Sequence, residues 1–277
     1  MLERREREAA VRAVQEVART QIVPRFRALA PSDTQSKGRP DDLVTVADRA
    51  AEAALTERLL GILPHAAVLG EEAASADPQA HRALEAERCW VVDPIDGTWN
   101  FAHGIGTFGV ILALVQEGRT VWGMIHDPLT GDRWEAAEGE GAFAHLRARR
   151  EPLRLEGGPD RPEDAVAFVH HNLYPRPARD RLAATLPRLR HAGSLRASSH
   201  EWRVMAEGGA DACLNAMLSP WDHAAGALLL REAGGVARLL DGRDYAPAMR
   251  EGRLLAARSE DLWRALAELW EGIERTG

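Results

Sequence analysis

Six acidic residues in this sequence stand where a predicted strand ends or a predicted helix begins. They are Asp48, Glu71, Glu72, Asp93, Asp96 and Asp222. In α/β folds, a side chain just past the end of a strand points into the crevice where ligands bind. Carboxylates gathered in one crevice repel one another unless a cation lies between them, and hard oxygen ligands suit Mg²⁺. The pattern therefore predicts a divalent-cation site.

The segment DPIDGT carries the strongest part of this pattern. Pro94 keeps Asp93 out of the helical conformation, so Asp93 continues the preceding strand. Asp96 follows two residues later and can point into the same space. Gly97 permits a tight turn, and a helical segment starts at Thr98, where free N–H groups suit a phosphate. We expect oxygen ligands beside an anion-binding turn.

Taken one at a time, these acidic residues also have structural explanations. Glu71 and Glu72 could form the exposed start of a helix, and Asp48 could cap one. Asp222 could be the third residue of a capping box that has Ser219 as its N-cap. The residues alone leave these alternatives open.

Four segments taken together resemble the signature sequences of the inositol monophosphatase family. They are DLVTVAD (42–48), GEE (70–72), WVVDPIDGTWNF (90–101) and PWDHAAGALLLREAGG (220–235). This family comprises Mg²⁺-dependent, lithium-sensitive phosphatases, and its superfamily includes fructose-1,6-bisphosphatases and 3′-phosphoadenosine phosphatases. The segments come in the family's order and spacing, and the resemblance extends over about residues 5–260.

The resemblance implies an α/β (α+β) fold, a layered α/β/α/β/α sandwich of the sugar phosphatase type. We expect a larger, mostly antiparallel sheet in the N-terminal half and a smaller, mixed or partly parallel sheet in the C-terminal half. Apolar runs separated by turns over 109–143 independently predict an antiparallel meander. The chain is predicted to be one catalytic unit with subdomains of about 1–150 and 151–277, divided near the Arg-, Pro- and Gly-rich segment 145–163.

Hydrophobic periodicity and turn residues predict the elements that position these segments. Helices are expected over 2–29, 48–63, 178–187, 198–208 and 219–233, and from Glu260 onward. Strands are expected over 66–70, 89–93, 165–170, 211–217, 236–241 and 254–259. A polar loop is expected over 31–42, and a polar helical insertion over 76–88.

The resemblance also implies a metal-ligand set. Glu71, Asp93 and the backbone carbonyl of Ile95 match the ligands of one metal ion. Asp93, Asp96 and Asp222 match those of a second. Two cations about 3.5–4 Å apart can stabilise both the attacking and the leaving oxygen of an in-line displacement. We expect two or three Mg²⁺ per site, with Mn²⁺ as a possible substitute.

Further residues match groups that act around these metals. Thr98, polarised by Asp48, matches the residue that orients the attacking water, with Glu71 as the third catalytic residue. Gly97 and Thr98 match the backbone donors to the phosphate, and Asp96 and Asp222 are also expected to contact the substrate.

Two residues match positions near a third, weaker metal site. Lys37, the only lysine in the chain, and Glu71 match residues close to that metal. Glu72 matches a carboxylate behind the ligands.

Several residues depart from the family's pattern. Asn215 stands where inositol-preferring members have a glutamate that contacts the sugar-like ring. Residues 193–201 replace a small-residue stretch, which makes Arg196 and His200 candidates for contacting the leaving group. Trp99 flanks the phosphate-binding turn, where it could narrow the site or stack on a substrate. Structural roles remain open for each, and the departures argue against strict myo-inositol specificity.

Other patterns are not predicted to form functional sites. GIGTFG at 104–109 fits GxGxxG, but it precedes a strand-like run and lies in no βαβ unit, so a dinucleotide site is not expected. His170 and His171 lack metal-ligand spacing and are expected in a loop or crevice. His223 could lie behind the metal ligands or be exposed at a helix start.

Composition excludes several classes of protein. The 277 residues carry 35 basic and 42 acidic side chains, a net charge of −7, so we expect no nucleic-acid or membrane partner. No apolar stretch approaches about 18 residues, and the charged N-terminus does not resemble a signal peptide. Cys89 and Cys213 match no zinc or CxxC spacing and are expected to be reduced thiols of a cytoplasmic protein.

These observations predict a phosphomonoesterase that acts on inositol 1-phosphate or a related sugar or polyol phosphate by in-line attack of a metal-activated water. Histidinol phosphate, fructose 1,6-bisphosphate and 3′-phosphoadenosine 5′-phosphate are alternative substrates. A more distant alternative is an inactive member with a binding or regulatory role, although six retained site residues argue against it. The resemblance further implies a homodimer.

Overall fold

A computed structural model describes residues 2–39, 41–147 and 149–273 of the chain. The helices are α1 (Arg4–Val17), α2 (Val46–Ile62), α3 (Glu71–Ala76), α4 (Thr98–Ala102), α5 (Ala178–Thr185), α6 (Ser198–Ala206), α7 (Pro220–Glu232) and α8 (Glu260–Leu269). The strands are β1 (Thr34–Ser36), β2 (Leu43–Thr45), β3 (Ala67–Gly70), β4 (Arg88–Asp96), β5 (Gly109–Gln116), β6 (Arg119–His126), β7 (Arg133–Ala137), β8 (Gly141–Leu146), β9 (Arg149–Leu153), β10 (Val166–Val169), β11 (His191–Gly193), β12 (Ala212–Asn215), β13 (Val236–Leu239) and β14 (Leu254–Ala257).

The larger sheet contains seven strands in sequence order, from β3 to β9. Strands β3 and β4 are parallel, and every later pair is antiparallel. The apolar runs over 109–143 therefore form the predicted meander. The GxGxxG-like segment leads directly into β5, as expected for a segment that is not a dinucleotide site.

The smaller sheet has five strands in the order β11-β10-β12-β14-β13. Strands β11, β10 and β12 run parallel, whereas β14 is antiparallel to both of its neighbours. The sheet is thus mixed, as predicted. Because three parallel strands end at the same edge, the residues that follow them gather in one crevice.

Three apolar clusters separate the layers. Helices α1 and α2 pack on one face of the large sheet, where Leu55 and Trp90 are fully buried. Helices α6 and α7 fill the space between the two sheets, and α5 and α8 cover the outer face of the small sheet. The resulting α/β/α/β/α sandwich confirms the predicted fold. The division into subdomains near 150 stays a prediction.

Three local predictions were wrong. Helix α1 ends at Val17 instead of near residue 29, and the chain continues as a wider turn and a 3₁₀ turn; Pro24 has no N–H to continue the helix. The polar segment 31–42 contains strand β1, which pairs with β2. Asp48 is not the N-cap of α2, as one alternative had it; it is the third residue of a capping box whose N-cap is Thr45.

Candidate active site

Three aspartates from two distant segments meet at the carboxyl end of β4. Asp93 and Asp96 lie on β4, and Asp222 lies in the first turn of α7. One carboxylate oxygen from each lies within 4.8 Å of the others. Helix α7 approaches closely because Gly123 on β6 leaves room: a Cβ there would lie 2.8 Å from the Cα of Ala225.

The backbone between these aspartates is shaped by its sequence. The pairing of β4 with β5 is interrupted between Asp93 and Asp96, and Asp93 Oδ1 accepts a hydrogen bond of 3.1 Å from the N–H of Ile95. Gly97 then adopts φ +87°. A Cβ on Gly97 would lie 3.0 Å from the carbonyl oxygen of Thr107, so the turn requires glycine for both conformation and space.

The negative charges of the three aspartates repel one another. Burial, together with the charges of neighbouring carboxylates, raises the pKa of Asp93 and Asp222 well above the usual range. Burial also raises the pKa of Asp96 to about 6. A divalent cation would remove this repulsion, and an all-oxygen donor set is the type that Mg²⁺ and Mn²⁺ prefer. The residues therefore fit the predicted kind of ion.

Asp96 is also tied to the small-sheet half of the molecule. Its carboxylate accepts hydrogen bonds from the N–H groups of Ser198 (2.9 Å) and Ser199 (2.7 Å) and from the Ser199 hydroxyl. The first turn of α6 thus holds this carboxylate in place. The sequence did not predict this contact, although both serines lie in the stretch that departs from the family's pattern.

Thr98 and Asp48 form the hydroxyl–carboxylate pair that the resemblance implied. Thr98 Oγ1 lies 2.9 Å from Asp48 Oδ1 and 3.0 Å from the carbonyl oxygen of Ile95. Asp48 Oδ2 accepts from both the N–H and the hydroxyl of Thr45. Burial raises the pKa of Asp48 to about 6. The carboxylate is therefore held rigidly behind the threonine.

The single lysine joins the two glutamates at the start of α3. Lys37 Nζ lies 2.8 Å from Glu71 Oε1 and 2.6 Å from Glu72 Oε1. These charges raise the pKa of Lys37 against the effect of its burial, so the lysine stays cationic. Burial and the charge of Glu71 raise the pKa of Glu72 to about 7.

Glu52 holds the start of α3 in place, a role that was not predicted from the sequence. Its carboxylate accepts from the N–H groups of Glu72 (2.8 Å) and Ala73 (2.9 Å). It occupies the space that a Cβ on Gly70 would need, which explains the glycine. Glu52 lies four residues after Asp48 on α2, and that spacing on one helix face is the signal that would have identified it.

Most of the predicted site residues line a cleft of about 1080 Å³. The predicted residues on its wall are Lys37, Glu71, Glu72, Asp93, Asp96, Gly97, Thr98, Arg196 and Asp222. Trp99 also lines it, and the Arg196 guanidinium lies 4.1 Å from the centre of the Trp99 ring. Arg196 Nη2 is 3.8 Å from Asp41 of the turn between β1 and β2.

Three other candidates do not lie on the described part of the cleft wall. Asn215 is 3% exposed, and its amide contacts Cys213 Sγ at 3.4 Å. His200 is buried with both ring nitrogens paired, to the Phe108 carbonyl and Arg203. His223 is buried against Met217 O and is not exposed at a helix start. For Asn215 and His200 the structure corrects the expectation, because both side chains are buried away from the described cleft wall. For His223 it excludes the exposed helix start, one of the two alternatives that the sequence left open.

His170, which the sequence placed in a loop or crevice, lies on the cleft wall. His170 Nε2 lies 2.6 Å from Oε2 of the buried Glu201, and Cys213 Sγ is 3.8 Å from the same carboxylate. These N, O and S atoms lie within 4.8 Å of one another. The carboxylate already accepts from Ser194 and Leu195, so the group is a closed hydrogen-bonded ion pair. Sequence spacing gave no signal for it.

Comparison with known proteins agrees with this geometry. The family model described as "Inositol monophosphatase family" matches residues 3–274. The chain therefore belongs to the inositol monophosphatase family, and it is a phosphomonoesterase. Within the described residues, no helix is long and apolar enough to cross a membrane.

Several curated relatives are similar over most of their length. A histidinol-phosphatase of Streptomyces coelicolor is 35% identical over 79% of this chain and 81% of its own. An inositol-1-monophosphatase of Bacillus subtilis is 30% identical over 76% of this chain and 77% of its own. Among solved structures, the suppressor protein SuhB of Bartonella henselae is 26% identical, with a TM-score of 0.79 over 97% of this chain and 99% of that chain.

Proposed function

We propose that the cleft hydrolyses a small-molecule phosphate monoester with two or three Mg²⁺ ions, for which Mn²⁺ could substitute. The ions would be held by the carboxylates of Glu71, Asp93, Asp96 and Asp222 and by the carbonyl of Ile95. The convergence of Asp93, Asp96 and Asp222 within 4.8 Å, in the same cleft as Thr98, is the observation that carries this proposal. The metals would supply a water of lowered pKa and neutralise charge on the leaving oxygen.

The chain's own residues would contribute mainly positioning, which dominates phosphoryl transfer. Thr98 donates its only hydroxyl proton to Asp48 and so presents oxygen lone pairs to the cleft, where they can accept from the attacking water. The N–H groups of Gly97 and Thr98 would bind phosphate oxygens. Lys37 holds Glu71 and Glu72 in one orientation and balances part of their charge.

For the substrate, inositol 1-phosphate or a related sugar or polyol phosphate leads, and histidinol phosphate, fructose 1,6-bisphosphate and 3′-phosphoadenosine 5′-phosphate are the alternatives. Both phosphatase activities named among the relatives, on inositol 1-phosphate and on histidinol phosphate, support the class. With Asn215 turned away from the cleft, nothing supports a strong contact from this residue to an inositol ring. We propose modest activity on inositol 1-phosphate and equal or better activity on another small ester.

A phosphate-release screen over these esters with Mg²⁺ tests the proposal. Release that needs the metal is expected, with no strong preference for inositol 1-phosphate. A preference for that ester of about a hundredfold, ~2.7 kcal/mol in transition-state terms, would contradict the proposed specificity. Absence of release from every ester would contradict the proposed function.

Arg196 provides a test of the leaving-group side. It adopts φ +54°, a left-handed conformation that costs a residue with a Cβ about 1 kcal/mol or more. Arg196→Gly and Arg196→Ala both remove the guanidinium, so both should weaken any preference for leaving groups that carry an anion. Only the alanine variant keeps the strain, so urea unfolding should show it to be less stable than the glycine variant by about 1 kcal/mol.

Two outcomes would count against this account of Arg196. Equal stability of the two variants would mean that the left-handed backbone costs nothing. Unchanged discrimination between anionic and neutral leaving groups in both would remove Arg196 from substrate binding.

We also propose that the protein is a cytoplasmic homodimer. Buried free thiols at Cys89 and Cys213 suit a reducing compartment. The dimer rests on the family resemblance and on the frequency of two-fold dimers. Sedimentation at micromolar concentration should give about twice the 30.4 kDa chain mass; a monomeric species would contradict the proposal.

A further inference from the structure

The geometry points to His170 as the residue that contacts the leaving group, an inference that rests on the proposed function. Glu201 holds the His170 ring as an imidazolium, and the ring donates its Nδ1–H into the cleft. This donor favours substrates whose leaving group carries a carboxylate or a second phosphate. The comparisons assign no role to His170.

The position of His170 follows from the small sheet. It comes directly after β10, and its N–H donates to the carbonyl of Leu214 on the parallel neighbour β12 at 3.3 Å. Ser194 and Leu195 follow β11, the neighbour on the other side. The carboxyl ends of these three strands therefore bring His170 to the cleft wall, which is the usual ligand edge of parallel strands.

The orientation of the ring is fixed by Glu201. Nε2 lies 2.6 Å from Glu201 Oε2, while Glu201 Oε1 accepts from Leu195 N (2.7 Å) and Ser194 Oγ (3.0 Å). The carboxylate is 2% exposed and cannot turn without losing these bonds. Nδ1 has no hydrogen-bond partner among the described residues, and it is not one of their buried unpartnered atoms. Because the side chain is 14% exposed and lines the cleft, Nδ1 is the nitrogen that faces it.

The charge of the ring follows from the same contacts. Burial lowers the pKa of His170, but the charge of Glu201 and its hydrogen bond to the ring outweigh this effect and raise the pKa well above the usual range. The same pairing lowers the pKa of Glu201 although that group is buried. The negative partner lies behind the ring, so the cleft receives the positive side of the pair.

The acidic side chains around this positive side have other partners in the proposed enzyme. Asp41 and Asp42, which also line the cleft, each lie within 4 Å of an arginine: 3.8 Å from Arg196 and 3.7 Å from Arg39. Asp222, which lies close enough to interact with the charge of His170, is a proposed metal ligand. A charged donor in a partly buried wall binds a carboxylate or phosphate well. It repels a cationic group, as in histidinol phosphate, and gains little from a neutral polyol.

Three esters of a primary alcohol carry leaving groups of different charge: 3-phosphoglycerate, glycerol 3-phosphate and histidinol phosphate. The first two are also similar in size. We expect the wild-type kcat/KM to fall in that order, with about a tenfold preference for the first over the second. His170→Gln should remove most of that preference while glycerol 3-phosphate is still hydrolysed. His171→Gln is the matched control: this histidine also lines the cleft, but it has no described contact with Glu201, so the change should leave the ratio unchanged.

A spectroscopic measurement tests the charge without turnover. In metal-free protein near neutral pH, the ¹⁵N signals of the His170 ring should be those of an imidazolium, and Glu201→Gln should shift them toward a neutral ring.

The outcomes distinguish this inference from the proposed function. Absence of phosphate release from all three esters would overturn the function, and the ring signals would still decide the inference. Four results would each overturn the inference while leaving the function intact. They are a kcat/KM ratio of 3-phosphoglycerate to glycerol 3-phosphate that His170→Gln does not change, a ratio that depends on His171, a preference for histidinol phosphate, and a neutral His170 ring.

Discussion

Asp93→Asn should abolish most phosphatase activity, by about 10³-fold or more, while the protein stays folded. Asp93 is the carboxylate proposed to contact both metals, and asparagine keeps its shape but not its charge. Burial and neighbouring carboxylates raise the pKa of Asp93 well above its usual value. An acid with a raised folded-state pKa destabilises the folded protein once the pH exceeds the unfolded-state pKa. The metal-free variant should therefore melt at the same or a higher temperature than the metal-free wild type.

Metal-dependent melting completes this prediction. Wild-type protein should gain thermal stability when Mg²⁺ is added, since a ligand that binds only the folded state stabilises it, and Asp93→Asn should lose most of that gain. The matched control is Asp211→Asn, a buried aspartate bonded to Arg258 (2.9 Å) and to the N–H of Val166 (2.9 Å), away from the cluster. It should lose stability but keep activity. Activity of Asp93→Asn within tenfold of the wild type would exclude Asp93 as a metal ligand.

Thr98→Val should lower kcat by about 10²–10³-fold with a smaller effect on KM. The hydroxyl is the group proposed to orient the attacking water, and valine fills the same space without it. Asp48 Oδ1 would also lose its hydrogen bond from Thr98, so some loss of stability is expected. Thr98→Ser keeps the hydroxyl and should retain activity within about tenfold.

This pair separates chemistry from packing. If the serine variant is impaired while the valine variant stays active, the methyl group of Thr98 matters and the hydroxyl does not, which would contradict the proposed role. A large loss confined to valine, measured at saturating Mg²⁺ and substrate, is the expected result.

The meander and the turn that carries Asp93 and Asp96 were predictable because local chemistry fixes them, whereas the layered fold was implied by the family resemblance. Pro94 and Gly97 determine the backbone of the turn at the end of β4, so the relative placement of Asp93, Asp96 and Thr98 follows from the sequence around them. The apolar runs separated by turn residues likewise indicated a meander before any pairing was known. The placement of Asp222 beside them required the family resemblance, since nothing local brings α7 to β4.

The substrate side of the cleft was not predictable in the same way. Asn215 ends β12, and His170 follows the parallel neighbour β10, whose last residue Val169 pairs with Leu214. Because His170 lies beyond the end of β10, the strand pattern does not fix the direction of its side chain. The Glu201 partner comes from α6, far along the chain, and buried pairs of this kind leave no periodic signal. Glu52 is the exception, because its spacing from Asp48 was visible.

The central claim is that the cluster of Asp93, Asp96 and Asp222 holds the catalytic metal ions. Anomalous diffraction from crystals of active enzyme containing Mn²⁺ tests it most directly, because the peaks locate the ion without reference to activity. We predict peaks within coordination distance of carboxylate oxygens from all three aspartates, and their loss in Asp93→Asn. Mn²⁺ bound elsewhere, with no peak at these three aspartates, would contradict the account.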